Sequence, residues 1–533
     1  MDETENGDEA RTATLKKDIG PAQQGVTTLN IMANGFQRAR GGKYYGGLNN
    51  RNLQASTSFQ GSQVTVVTES PKPTPRAADD HLPPIKTHLA LSISNLLVYT
   101  SYNGIQNIQS SINDKDDLGI FTLATVYTTV FLLAPFATIV IRKFGCKNLL
   151  LLSWASMGLF AGANFYPRFS TLIPASFLIG ACGTCIGVIN NIYLAAASDR
   201  YIKNKKLGSE KRHQILSIFF GAFFTFFEAS QISGNLTSSL VLFTNSPGSA
   251  DNATFDHTTP CGADMCYLNS TASSHIKRPS QDTLYMLFGI FLGCVALGFL
   301  VSLFLLPRLR LPEPAVPRSV CQEMMSCFKV LVSLEFALLL PAVMGQAMMV
   351  MVIFTGYTSV FITCSLGVEW VGFVMMAYGT STAIFATLAN YLARYLGRIF
   401  LFLTFILLDT GLLFTMLFWN PGHDGSKLIL FSIAGAAGIS EGISQAQFSS
   451  IISIVFQKDL PPALVTYNMT KCIAFSASLA ISTFACFYYR LYIAIALYIV
   501  GLFGYIGLEI LVNKRGTKRN KADQKPLLRD VRS

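Results

Sequence analysis

Gly180-Ala181-x-Gly183-x-x-x-Gly187-x-x-Asn190 is a ladder of small residues inside a long apolar stretch, and it returns far downstream as Gly435-Ala436-x-Gly438-x-x-x-Gly442-x-x-Gln445. Small residues spaced three and four apart share one face of a helix and let a neighbour approach closely, which is how helices associate in lipid. The repeated ladder predicts two copies of one membrane unit. Lipid-embedded repeats of this kind are an architecture of secondary transporters.

Composition supports the membrane setting. The 533 residues are 51% hydrophobic and 13% charged, with mean hydropathy +0.41, a balance that a water-soluble chain of this length does not keep. Crossing a hydrocarbon core of about 30 Å takes roughly 20 helical residues. Stretches that satisfy this run near 87-107, 118-141, 148-166, 171-197, 214-242 and 283-306, then near 334-363, 368-393, 399-418, 427-455, 463-488 and 491-512. The first is the least apolar, interrupted by Ser92, Ser94, Asn95, Asn103, Gln106 and Asn107. A polar connector with Pro307, Pro312, Pro314 and Pro317 separates six spans from six and cannot continue a helix.

The expected architecture is an all-α membrane protein of twelve transmembrane helices in two pseudo-symmetric six-helix bundles, 86-306 and 334-512. A cytoplasmic linker, 307-333, joins them, an N-terminal tail covers 1-85 and a basic tail covers 513-533. An even number of spans puts both tails on one side. Arg142, Lys143 and Lys147 follow span 2, Arg200, Lys203, Lys205, Lys206, Lys211 and Arg212 follow span 4, and Arg308, Arg310 and Arg318 follow span 6, so the positive-inside rule makes that side the cytoplasm. The net charge of +11 resides in these loops and the C-terminal tail, where topology and anionic lipid account for it and nucleic acid is not required. Residues 1-85 are polar, so no cleavable signal is expected there and the first span is expected to serve for insertion. They lack the apolar area to fold alone and are expected to be disordered.

The loop 243-282, on the predicted outer side, carries the sequons at Asn252 and Asn269, both expected to be glycosylated. Of eleven cysteines, Cys261 and Cys266 are the two in that loop and are expected to pair, since the compartment permits a disulfide. Those within apolar spans, Cys182, Cys185, Cys294, Cys364, Cys472 and Cys486, read as small hydrophobes. Asp523-Gln-Lys-Pro-Leu527-Leu528 fits an acidic dileucine sorting pattern and Tyr45-Gly-Gly-Leu48 a tyrosine-based one, which points to endolysosomal sorting alongside a plasma-membrane location.

Two loops point to a known fold. Arg142-Lys-Phe-Gly145-Cys-Lys147 follows span 2 and Arg394-Tyr-Leu-Gly397-Arg398 follows span 8. The repeated Arg-x-x-Gly resembles the loop signature of the major facilitator superfamily, without the acidic residue and most of the glycine-arginine frame of its sugar-type members. A sharper match is Tyr102-Asn-Gly104-Ile-Gln106-Asn107-Ile-Gln109-Ser110-Ser111-Ile112, followed by Leu118-Gly119 and Tyr127, with Gln231-Ile-Ser-Gly234-Asn235 in span 5. These runs resemble the uncoordinated-93 (unc-93) family, over roughly 87-512, and most closely its homologue A branch. The resemblance implies a protein that acts on other membrane proteins. One relative is an accessory subunit of a two-pore potassium channel, and another escorts Toll-like receptors to endolysosomes.

Ionisable side chains at bilayer depth are functional candidates by default. Glu228 in span 5, Asp409 in span 9, Glu441 in span 10 and Lys471 in span 11 are all flanked by apolar residues. Glu441 shares a polar face with Ser444 and Gln445, and Lys471, on the next span, is its expected partner. Glu228 could carry a proton in a transporter, or could be hydrogen-bonded to Asn190 or Asn191 of span 4. Asp409 is the weaker candidate because span 9 is an outer helix of this fold. No phosphate loop, His-Glu-x-x-His or paired-Cys spacing is present, so neither enzyme chemistry, a cofactor nor a metal is expected. Two readings stand: a pseudo-transporter that binds and regulates or escorts a potassium channel or Toll-like receptor, and a secondary transporter of a small solute coupled through Glu228 or Glu441.

Overall fold

The computed structural model describes residues 83–113, 115–208, 211–244, 261–263, 279–309, 320–421, 426–457 and 459–529. Among the described residues, twelve long helical rods follow one another along the chain. They are α1 (Pro84–Ile112), α2 (Lys115–Phe144), α3 (Cys146–Ala163), α4 (Phe169–Asn204), α5 (Arg212–Thr244) and α6 (Gln281–Leu305). The second set is α7 (Leu334–Leu366), α8 (Glu369–Leu396), α9 (Arg398–Phe418), α10 (Lys427–Val455), α11 (Leu460–Phe484) and α12 (Phe487–Arg529). Ten of these are long and apolar enough to cross a membrane, all except α1 and α3.

Helix α1 keeps its place despite its polar residues because its neighbours satisfy them. Asn95 exchanges hydrogen bonds with Asn190 of α4 at 2.9 and 3.3 Å. On the α5 side, Thr100 meets Ser233 at 2.6 Å, Asn103 donates to Ser230 at 3.0 Å and Asn107 donates to Asn235 at 2.7 Å. In lipid such groups have no water to turn to, so they mark α1 as an interior helix of its bundle. The close crossing uses paired glycines: a Cβ on Gly104 would lie 2.9 Å from the Gly234 carbonyl oxygen.

Packing within the first six rods is repeated in the second six, shifted by six. The pairs α1–α5, α1–α6, α2–α4, α3–α4 and α3–α6 recur as α7–α11, α7–α12, α8–α10, α9–α10 and α9–α12. Across the seam the most extensive contacts are α5–α8 and α2–α11, which exchange under the same operation, and α1 also meets α7. The molecule is therefore two pseudo-symmetric six-helix bundles.

The repeated Arg-x-x-Gly corners confirm the relation in backbone geometry. Gly145 has φ 81° and ψ 153°, and Gly397 has φ 83° and ψ 156°, a left-handed conformation that favours glycine. The basic residue that follows ties equivalent helices together by different means. Lys147 at the start of α3 donates to the carbonyls of Leu303 and Leu306 at the end of α6, each at 2.7 Å. Arg398 at the start of α9 makes a two-pronged pair with Glu509 of α12 at 2.9 and 2.8 Å. Tyr505 also donates to Glu509, at 2.7 Å. Near the same face, the α4–α5 connection is bridged by Arg212 and Asp199 at 2.7 and 3.0 Å, a bond that holds the guanidinium above its ordinary pKa.

The two ladders do equivalent but unequal work. A Cβ on Gly180 would stand 2.6 Å from both the Thr129 Cβ and the Val126 oxygen of α2. On α10, Gly442 would meet the Ala386 nitrogen at 2.6 Å and Gly438 the Ser381 Cβ at 3.0 Å, both on α8. Gly183 faces open space, because α4 breaks just after it, between Phe169–Gly183 and Ile186–Asn204.

Several expectations are corrected. Cys261 is bonded to Cys364, not to Cys266, with Cα atoms 5.8 Å apart. Cys364, expected to be a small hydrophobe, lies at the loop end of α7, just past the π-wound stretch Val352–Thr363. Gly262 reinforces the attachment by donating to the Val360 carbonyl at 3.3 Å. Cys486, also read as a hydrophobe, is disulfide-bonded as well. The linker 307-333 contains a helix, Val320–Leu331, that packs on α11. The tail beyond 512 continues α12 as helix to Arg529, so Asp523, Leu527 and Leu528 lie on helical backbone. Asn252, Asn269, Cys266, Tyr45 and Leu48 lie outside the described residues.

The bundles meet tightly near the disulfide. Ser111 and Thr363 hydroxyls are 3.1 Å apart, joining α1 to α7. Ser239 of α5 donates to the Glu369 carbonyl at 2.6 Å and accepts from the Phe373 amide of α8 at 3.0 Å.

Candidate intramembrane polar site

Four rods bring the charged candidates of the sequence together at the seam. Glu441, on α10, is 8% exposed. Gln445 lies one turn along the same helix and donates its amide to one carboxylate oxygen. Gln346, on α7 and 1% exposed, donates to the other. Both carboxyl oxygens thus face an amide nitrogen. The carbonyl ends of both amides, Gln346 Oε1 and Gln445 Oε1, are buried without a hydrogen-bond partner.

Lys471 on α11 is 5% exposed and within electrostatic range of Glu441. The two do not close to an ion pair among the described residues. Lys471 instead associates with Tyr467, with its Nζ 5.6 Å from that ring centre and 5.8 Å from that of Phe475. Such placement over aromatic faces stabilises an ammonium taken out of water.

Glu228 of α5 is half-buried and has Glu441 as its charged neighbour across the seam. It is not held by Asn190, which is committed to Asn95. Asn191 is half-buried beside Asn190 on α4. Asp409 turns inward from α9 and accepts from Tyr498 of α12 at 2.5 Å, so its placement is explained by that bond, although it too is felt by Glu441.

Tyrosines complete the surroundings. Tyr378 of α8 sits within electrostatic reach of Glu441, Asp409 and Glu228. Tyr102 of α1 and Tyr127 of α2 interact with one another, and Gln106 adjoins Tyr127. Tyr127 also packs edge-on against Phe475 at 4.9 Å, and Thr128 donates to Ser476 at 3.0 Å, closing α2 on α11.

The sequence thus named Glu228, Glu441, Gln445 and Lys471, which do converge, and Asn190, which does not join them. It missed Gln346 and the tyrosines. Gln346 has a local signal, an amide beside Gly345 in a run, 342–351, otherwise of Ala, Met and Val. The tyrosines have none, since an aromatic in an apolar span is usually packing. Chemically the site offers carboxylates, amide oxygens and aromatic faces around one ammonium. Among the described residues no group of three His, Cys, Asp or Glu side chains could hold a metal ion.

Comparison with known proteins places these features in context. No family model matches the chain. It is 30% identical over 453 residues to protein unc-93 homolog A of Bos taurus, covering 82% of this chain and 95% of the relative. A Caenorhabditis elegans protein that carries the name "Putative potassium channel regulatory protein unc-93" is 26% identical, with 79% of this chain and 60% of that protein covered. Among solved structures, the nucleoside transporter NupG superposes with a TM-score of 0.52 at 11% identity, covering 79% of this chain and 99% of that one. That likeness is one of fold, and the fold is that of the major facilitator superfamily.

Proposed function

We propose, from the premise that this chain belongs to the unc-93 family, that it is a multi-pass membrane protein that binds another membrane protein and regulates or escorts it, rather than an enzyme. The observation that carries this is likeness along almost the whole length of an unc-93 relative, together with the channel-regulatory name of the Caenorhabditis elegans protein. A potassium channel is the first partner class to seek, and a Toll-like receptor the second. In this reading both tails face the cytoplasm, the loop 243-282 is glycosylated at Asn252 and Asn269, and the tail motifs sort the protein between plasma membrane and endolysosome. The test is affinity purification of the tagged chain in mild detergent, with quantitative mass spectrometry against a tail-truncated control. Stoichiometric recovery of a channel or receptor supports the proposal. A preparation in which no membrane protein is enriched sinks it.

A second reading is favoured by one observation, the convergence of Glu228, Glu441 and Lys471 at the seam of two bundles. In secondary transporters such positions hold substrate and coupling ions. Here the chain moves a small solute, and Glu441→Gln abolishes flux while surface expression is intact. Unchanged flux in that variant removes this reading.

A further inference from the structure

We propose that the polar site at the seam binds a monovalent cation, bare or of ammonium type, between Glu441, Gln346, Gln445 and Glu228. The inference rests on an imbalance of chemistry. Two carboxyls, Glu228 and Asp409, lie within electrostatic range of a third, Glu441, which also feels the Lys471 ammonium. One oxygen of Asp409 accepts from Tyr498, and the other, Oδ1, is buried without a hydrogen-bond partner. The other ionisable groups that face the cluster, Tyr102, Tyr127, Tyr378, Tyr467 and Cys472, supply no further positive charge at neutral pH. Acidic groups therefore outnumber basic ones in a low-dielectric seam, where each carboxyl needs either a proton or a counter-cation.

The second observation is independent of charge. Gln346 and Gln445 each spend their amide nitrogen on Glu441, and each leaves a buried carbonyl oxygen unsatisfied. Buried acceptors without a donor are rare, and each has a cost unless something supplies the missing partner. These oxygens lie within one amide of the carboxylate. Among the described residues no hydrogen-bond donor reaches Glu228, which faces the same carboxylate from the other bundle. Lys471 does not supply the donor, because it is turned to Tyr467 and the aromatic faces. What the site lacks is one positive charge that can be approached by several oxygens at once. Potassium and sodium meet that need by oxygen coordination and an alkylammonium by donating hydrogen bonds.

Because ligands that bind the folded state raise its stability, the test is thermal unfolding of the full-length protein in detergent at fixed pH and ionic strength. Potassium, sodium and methylammonium chlorides are titrated separately into N-methylglucamine chloride. The expected result is a saturable upward shift of the midpoint with one of them; response to the metal ions or to methylammonium assigns the source. Gln346→Leu weakens half-saturation about tenfold, as expected for one lost hydrogen bond to a charged group, and Glu441→Gln removes the shift. Asp199→Asn, on the α4–α5 connection and paired with Arg212, leaves half-saturation unchanged. Absence of a saturable shift with any of the three, or one of the same strength in Gln346→Leu, overturns the proposal, and Gln346→Leu decides alone if Glu441→Gln does not fold. The experiment uses no partner protein, so its failure is separate from failure of the regulatory reading.

Discussion

Replacing Arg398 by Met tests what the base of the second Arg-x-x-Gly loop does. Its guanidinium spans both oxygens of Glu509, at 2.9 and 2.8 Å, and its side chain is 24% exposed against 7% for the acid. Removal leaves Glu509 buried, with only the Tyr505 hydroxyl still donating to it. Breaking a buried pair from one side costs about 3–5 kcal/mol, and partial solvent screening of Arg398 puts the expectation at the lower end, about 3 kcal/mol. The converse change, Glu509→Leu, leaves a guanidinium that can reach water and costs about 1 kcal/mol. With both changes no charge is stranded, so the double variant also loses about 1 kcal/mol, a coupling energy of about 3 kcal/mol. Reversible unfolding in mixed micelles, followed by circular dichroism, measures all three. A coupling below about 0.5 kcal/mol, or a greater loss from Glu509→Leu than from Arg398→Met, refutes the view that this loop residue is an α9–α12 latch.

Other expectations follow from the same geometry. Gly442→Leu should prevent α10 from seating on α8, where a Cβ already meets backbone at 2.6 Å, and so abolish a monodisperse peak in size-exclusion chromatography; Gly183→Ala should preserve it. Cys261→Ser should expose Cys364 to a membrane-impermeant maleimide that does not label it in the wild type, and labelling of both proteins alike would contradict the bond. Asp199→Ala breaks a pair whose arginine is half exposed, so the unfolding midpoint should fall by less than the equivalent of about 1 kcal/mol. Asn107→Leu strands Asn235 in the α1–α5 interface and should cost about 1–3 kcal/mol in the same unfolding assay, whereas a cost near zero would show that contact to be dispensable.

Hydropathy made ten of the helices plain, because spanning lipid requires a length and composition that few other structures need. Helix α1 was harder to read, since Asn95, Asn103 and Asn107 look like interruptions until their partners on α4 and α5 are in place. The Gly145 and Gly397 corners were visible because their backbone needs one residue type. Side-chain convergence was visible only as charge: Glu228, Glu441 and Lys471 stand out in apolar runs. Gln346 reaches Glu441 across two helices distant in sequence, and no local pattern encodes that meeting. The cysteine pairing failed for a similar reason. Proximity in sequence favoured Cys266, whereas the fold delivered Cys364 to Cys261 from the far end of α7.

The Cys261–Cys364 bond encloses a sequence interval of 103 residues that contains all of α6, the proline-rich connector and most of α7. A protease that cuts the connector therefore opens a ring and does not release a fragment. The two halves of the chain would run together on a gel until a reductant is added, and then separate. Biosynthetically, the ring can close only after both α6 and α7 have been made, so its formation is a covalent record that the second half has met the first.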